Sequence, residues 1–283
     1  MQNEGVSPDT VTFICILKVC GTTESVEKGK QIHENIANRG LVNRDVSNAL
    51  VDMYAKCGLL EKARQVLWEF PVVDVVSCNS VILGYVQRGQ DEEAMKCYAW
   101  MRTMELSPDS VTFTWLLKAC ENIGAIEKGL EIHNLIEKMK FLEKESAIGN
   151  ALIDMYGKFG MLAKAKGLFD ELKVRDVISW TAQISGYIQH GYDEDALKCF
   201  DQMQSEGFSP NAITFICILK ACGSIGAIDK GEQIHKDIVN RGLQENDIVL
   251  GTALVDMYAK CGVLAKAEEV FNKLPSRNVV TWS

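Results

Sequence analysis

Asn48–Gly58 reads NALVDMYAKCG, Asn150–Gly160 reads NALIDMYGKFG and Thr252–Gly262 reads TALVDMYAKCG, each 102 residues after the last. In the second copy Leu152, Ile153, Met155 and Tyr156 fall at helical spacing and share one face. A glycine closes each copy, where the chain can enter the left-handed conformation without steric cost. A second amphipathic stretch follows, marked in the same copy by Leu162, Ala165, Leu168 and Phe169. Such a unit reads as a helical hairpin.

Two further motifs recur around this one. VTFICILKVC, VTFTWLLKAC and ITFICILKAC open at Val11, Val111 and Ile213. VVSCNSVILGYVQRG and VISWTAQISGYIQHG open at Val75 and Val177, and a third copy starts at Val279. The 102-residue unit therefore divides into three hairpins of unequal length. The spacing predicts hairpins over 10–43, 44–74, 75–109, 110–145, 146–176, 177–211, 212–247 and 248–278, with partial ones at 1–9 and 279–283. Gly58, Gly89, Gly124, Gly160, Gly191, Gly226 and Gly262 end the first helices, and only the first motif lacks one, having Glu24 instead.

Each second helix carries one small residue at a fixed place: Ala63, Ala94, Ala165, Ala196 and Ala267, or Gly29, Gly129 and Gly231. A mid-helix glycine costs about 1 kcal/mol relative to alanine. Its recurrence predicts a close approach of two helix backbones at that point. Hairpins of this kind cannot bury their apolar faces alone and stack on one another. The expected fold is all-α, a right-handed α-solenoid superhelix of helix-turn-helix repeats.

Composition narrows the function classes. Apolar residues make up 47% of the 283, enough to build a core. No stretch approaches the roughly eighteen uninterrupted apolar residues of a membrane span. The opening MQNEGVSPDT has neither a charged-then-apolar signal nor an Arg/Ser-rich leader. The ten cysteines include no C-x-x-C, and Cys20, Cys120 and Cys222 recur at one motif position, as do Cys57 and Cys261. Recurrence at the repeat interval predicts packed, reduced thiols rather than bridges or a metal site. His33, His133 and His235 recur in the same way, and none of these or His190 begins an H-x-E. No phosphate loop, nucleophile elbow or H-E-x-x-H is present. The chain is expected to have no catalytic centre, cofactor or metal.

These motifs resemble the pentatricopeptide repeat family, in its plant PLS subclass, over essentially the whole chain. The P motif is seen at 75–109 and 177–211, the L motif at 10–43, 110–145 and 212–247, and the S motif at 44–74, 146–176 and 248–278. Residues 1–9 then end a P-type repeat and 279–283 begin another. The resemblance implies single-stranded RNA binding, one base per repeat. It also implies the base-reading pairs: Asn48 with Asp74, Asn79 with Asp109, Asn150 with Asp176, Thr181 with Asn211, and Thr252 with Asn278. Asn with Asp implies uracil, with cytosine second, and Thr with Asn implies adenine. The L motifs offer Ile14 with Asn43, Thr114 with Glu145, and Ile216 with Asp247, to which no base is assigned.

Val76, Ile178, Val249 and Ala147 match the family's base-flanking apolar residues, and Asp45 departs from them. Lys56, Lys158 and Lys260 are candidate phosphate contacts; a lysine in the last helical turn is also favoured by the helix dipole alone. Trp180 and Trp282 match a packing aromatic, where Cys78 departs. An Asn, Thr or Asp at these positions can also be a plain helix cap. The resemblance further implies a mitochondrial or chloroplast protein, the address-reading part of an RNA-processing or cytidine-to-uridine editing factor. The L motifs would then be free to meet editing-factor proteins. A deaminase's H-x-E and C-x-x-C are absent. The net charge of −8 sits poorly with phosphate binding unless the acidic residues lie on an outer face. A helical protein-binding scaffold in the manner of tetratricopeptide repeats is the alternative, which the unequal motif lengths disfavour.

Overall fold

The computed structural model describes residues 8–69, 74–143, 145–243 and 248–274. Among these are sixteen α-helices and no strand. Residues 1–139 and 140–283 form two compact units.

In the first unit the odd-numbered helices are α1 (Thr10–Thr22), α3 (Arg44–Lys56), α5 (Val75–Gln87) and α7 (Ser110–Ile123). The even ones are α2 (Val26–Asn38), α4 (Leu60–Glu69), α6 (Asp91–Thr103) and α8 (Ile126–Lys138). The second unit has α9 (Ser146–Lys158), α11 (Val177–Gln189), α13 (Ala212–Ile225) and α15 (Ile248–Lys260). Their partners are α10 (Leu162–Glu171), α12 (Asp193–Ser205), α14 (Ile228–Asn240) and α16 (Leu264–Lys273). Within each unit every odd helix packs on the next odd helix; α2, α4, α6, α10, α12 and α14 each fill the seam between the odd helix before and the one after, while α8 packs on α7 and α16 on α15. The result in each unit is two layers, with the odd helices on one face.

The core comes from the apolar stripes. Tyr54, Met53 and Leu50 of α3 and Tyr258, Met257 and Leu254 of α15 are buried at the same helical positions. The recurrent histidines pack against these tyrosines: His33 Nδ1 lies 3.0 Å from Tyr54 Oη, and His235 Nδ1 lies 2.8 Å from Tyr258 Oη. Burial lowers the His33 pKa and raises those of both tyrosines.

The turn between α1 and α2 is the same as its copies although its glycine is missing. Glu24 adopts φ 51°, where Gly124 and Gly226 have φ 67° and 69°. The residue after each donates to the buried cysteine's carbonyl at 2.9 Å: Ser25 to Cys20, Ala125 to Cys120 and Ala227 to Cys222. Packing of the two helices imposes this turn on a residue that disfavours it.

Two expectations need correction. At Gly29 and Gly231 the helix backbones are not what meets. A Cβ there would lie 2.6 Å from Met53 Sδ and Met257 Sδ respectively, so the glycine is a cradle for a methionine side chain of the next motif. The close backbone contact is between α9 and α11, where a Cβ on Gly157 or Gly186 would stand 3.0 Å from the other residue's Cα. The second correction concerns the thiols. All ten cysteines are free, and six are buried, but Cys15 is exposed and Cys57, Cys217 and Cys261 are half-buried. Cys15 on α1 has no preceding helix to cover it among the described residues. Trp180 is fully buried, edge-on to Phe169 at 4.6 Å. Trp282 lies outside the described residues.

Candidate functional site

The paired residues meet in space. Asn48, Asn79 and Asn150 are each the fifth residue of their helix, and none caps it. Each instead reaches the residue that caps the next odd helix. Asn48 Nδ2 donates to Asp74 Oδ2 at 2.7 Å. Asn79 Nδ2 donates to the Asp109 carboxylate at 2.9 and 3.2 Å. Asn150 Nδ2 donates to that of Asp176 at 3.1 and 3.2 Å.

The aspartates are also N-caps. Asp74, Asp109 and Asp176 accept from the backbone N–H of Ser77, Thr112 and Ser179 at 3.0, 2.8 and 2.8 Å. Capping and pairing therefore use one carboxylate together, and the choice posed by the sequence between cap and pair is not a real one. Burial raises the Asp74 pKa, but hydrogen bonds from Ser77 and Asn48 and the Arg44 guanidinium at 3.3 Å outweigh it and leave the pKa lowered.

Thr181 is joined to Asn211 differently. The Thr181 hydroxyl donates to Val177 O at 2.7 Å and lies 2.7 Å from Thr214 Oγ1. Thr214 in turn reaches Asn211 Oδ1 at 2.9 Å through both its hydroxyl and its backbone N–H. Either hydroxyl can be the donor in the Thr181–Thr214 contact. Asn211 Nδ2 donates to no described residue. Thr252 repeats the Thr181 geometry, donating to Ile248 O at 2.7 Å. Asn278, its expected partner, lies outside the described residues, as does Asp247.

Sequence reasoning missed a third member of each site. Ser77, Thr112, Ser179 and Thr214 are buried hydroxyls at the third position of α5, α7, α11 and α13. The signal was present as Asp-x-x-Ser/Thr or Asn-x-x-Thr, a capping-box spacing. That spacing reports the local cap and is silent about contacts some 30 residues away in sequence.

The flanking apolar residues stand out from the odd-helix face: Val76, Ile178 and Val249 are 64, 62 and 63% exposed. Ala147 and Asp45 are also exposed. Val11, Val111 and Ile213 occupy the same place at the start of α1, α7 and α13 and are 63, 46 and 62% exposed. So the motifs with no base assigned carry the same apolar ledge as the others. Lys56 and Lys260 are exposed but bridge to Asp52 and Asp256 at 2.7 Å, which locally balances their charge. Lys158 is exposed too. Among the described residues no group of three or more His, Cys, Asp or Glu is arranged to hold a metal, and no helix is long and apolar enough to cross a membrane.

With this geometry in view, comparison with known proteins is direct. A model described as PPR repeat family matches residues 73–122 and 175–224, and one described as PPR repeat matches 46–71, 150–177 and 252–279, together more than half of the chain. This chain belongs to the PPR repeat family. A pentatricopeptide repeat-containing protein of Arabidopsis thaliana is 38% identical over 99% of this chain and 50% of its own length. A second from the same plant, named chloroplastic, is 32% identical over 99% of this chain and 32% of itself. A third, putative and named mitochondrial, is 36% identical over 96% of this chain and 43% of itself. The chain thus spans half or less of the length of these relatives. Among solved structures, the pentatricopeptide repeat protein PPR10 in complex with an 18-nt psaJ RNA element matches all of this chain and 43% of its own. The TM-score is 0.78 at 20% identity, which establishes a shared helical-repeat fold.

Proposed function

We propose that this PPR chain binds single-stranded RNA, with one base opposite each repeat and each paired set of side chains reading one base. The observation that carries this is the set of Asn–Asp and Thr–Thr–Asn clusters at one place on successive odd helices. Each cluster is partly buried, beside an exposed apolar ledge. The ledges supply a surface for base stacking and the clusters supply polar atoms for the base edge. The PPR10 complex supports the reading by fold.

The edge chemistry agrees with the family code. At Thr181 and Asn211 the free groups are a hydroxyl lone pair and an amide N–H, which complement the N6 amino group and N1 acceptor of adenine. At Asn48, Asn79 and Asn150 the aspartate holds one amide N–H, which leaves the second for the O4 acceptor of uracil. With RNA running 5′ to 3′ along the chain, the repeats at 10–43 through 248–278 read any base, U, U, any base, U, A, any base, A. Cytosine substitutes for uracil at lower affinity.

The alternation of L, S and P repeats with the stated boundaries supports a reading of the chain as one of the plant PLS subclass. The L repeats accept a base on Val11, Val111 and Ile213 without reading it, or meet a protein partner. Lys56, Lys158 and Lys260 contact phosphates when RNA competes for them with the neighbouring aspartates. By kinship with relatives named chloroplastic or mitochondrial, the protein acts in an organelle, as the target-recognising part of an RNA-processing or editing factor. The chain itself supplies recognition, not chemistry.

Selection of bound sequences from a random RNA pool tests this. Enrichment of two adjacent uracils, a one-base gap, then uracil and adenine is expected. Enrichment of no sequence, with RNA retained only at low salt, would leave a charge-driven scaffold as the better account.

A further inference from the structure

The sixth residue of an odd helix is small in seven of the eight: alanine in α3, α9, α11 and α15, cysteine in α1 and α13, and serine in α5. In α7 it is Trp115. The repeat fold is thus built without a large side chain at this place, and an indole there calls for another reason. Trp115 is half-buried, whereas Trp180 in the core is fully buried. The Trp115 indole N–H donates to no described residue and, unlike that of Trp180, is not closed to solvent. Val111, four residues before it on the same helix face, is the apolar ledge of α7 and is 46% exposed.

The sixth residue faces the odd helix that comes before. Ser80 Oγ, at this place in α5, lies 3.5 Å from Asp52 Oδ1, the ninth residue of α3. In the same register Trp115 stands opposite Leu83, the ninth residue of α5, which is also half-buried. This step between α5 and α7 is the one at which Asn79 donates to Asp109. A long side chain on a helix leans back over the turn before its own Cα. That direction carries the indole towards Val111 and the Asn79–Asp109 pair. The pairs Asn48–Asp74 and Asn150–Asp176 are spelled alike, but Ser80 and Ala182 occupy the place of the indole at their steps.

We propose that Trp115 is a stacking residue for the base held at Asn79 and Asp109, so that this one uracil site offers an aromatic face as well as an apolar ledge. This rests on the proposal above that RNA lies along the odd helices. Leu83 backs the indole from α5. Every base has a π-face, so the contact adds affinity without choosing the base, and the choice stays with the pair. The three uracil sites therefore differ in grip although their pairs are the same.

Dissociation constants of wild type, Trp115→Leu and Trp115→Phe for an RNA carrying the proposed order test this. The same RNA is also used with an abasic nucleotide opposite Asn79 or, as a control, opposite Asn48. On the intact RNA, Trp115→Leu should weaken binding by about tenfold and Trp115→Phe by no more than about threefold, since phenylalanine keeps an aromatic face and leucine only apolar bulk. With the abasic nucleotide opposite Asn79 the three proteins should bind alike. With it opposite Asn48 the tenfold difference should remain. If Trp115→Leu binds the intact RNA as tightly as wild type, or its loss persists when the base opposite Asn79 is missing, the indole only packs α7 on α5 and the inference is wrong. A uracil-to-adenine change opposite Asn79 examines the pair separately: if wild type binds both RNAs equally while the leucine variant still loses affinity, base reading at this pair has failed and the stacking contact stands.

Discussion

The repeats at 75–109 and 177–211 share a motif and a backbone path, yet their interiors are filled differently. Cys78 occupies the place of Trp180, Val81 that of Gln183, Gly84 that of Gly186 and Asn79 that of Thr181. All of these positions are buried. In the first repeat the neighbouring outer slot is covered by Trp68 and Trp100, whose rings lie 6.2 Å apart. In the second, Asp170 and Gln202 stand there instead, beside a cavity of about 170 Å³ that also touches Trp180 and Gln183. The lesson is that the frame is held by period and glycine turns, while each repeat packs its own interior and presents its own polar atoms. Core filling and the polar atoms that each repeat presents are therefore separable.

The largest effect expected from this contrast is at the aromatic position. Trp180→Ala should lower stability by about 3–5 kcal/mol, since it empties a fully buried site. Cys78→Ala should cost about 1 kcal/mol. Urea unfolding midpoints measure both, and equal losses would show that the two repeats are packed alike after all. Next in size is the helix crossing. Gly186→Leu should cost about 1–3 kcal/mol, because the nearest atom is the Gly157 backbone. Gly84→Ala should be milder, because its closest neighbour is the movable end of Leu60. A lower midpoint for the Gly84 variant would reverse this reading.

A third effect has the opposite sign. Both polar atoms of the Gln183 side chain are buried without a partner. Gln183→Leu should raise stability by about 1–3 kcal/mol, making the second repeat resemble the first with its Val81. A fall in the unfolding midpoint would mean that the amide is held by interactions beyond these contacts.

Much of this architecture could be read from the sequence. The repeat interval and the glycines located the hairpins, and Glu24 in the place of a glycine still forms the same turn. The Asn–Asp pairs followed from the resemblance to the pentatricopeptide repeat, since no local pattern connects them, and their side chains do touch. What was not legible lay in side-chain filling. A missing side chain at Gly29 or Gly231 says that something enters, not that it is Met53 or Met257 rather than a backbone. The exposure of Cys15 goes with the lack of a helix before α1 among the described residues, which composition does not record. Ser77 and Thr112 went unnoticed because their contact with Asn48 and Asn79 comes from the preceding repeat.

The central claim is that polar atoms at one place on the odd helices choose the base, and it is tested most directly where the repeats at 75–109 and 177–211 differ. Binding titrations at low salt would compare two RNAs, adenine or guanine opposite Thr181 and Asn211 and otherwise identical, on wild type and Asn211→Asp. The wild type should prefer adenine by about tenfold, as one well-made base contact allows. The variant should shift towards guanine, because a carboxylate accepts from the guanine N1–H and cannot donate to adenine N1. The aspartate keeps the cap, so folding should be unaffected. If both proteins bind both RNAs without distinguishing them, the pair is a helix cap alone and base reading does not take place at this site.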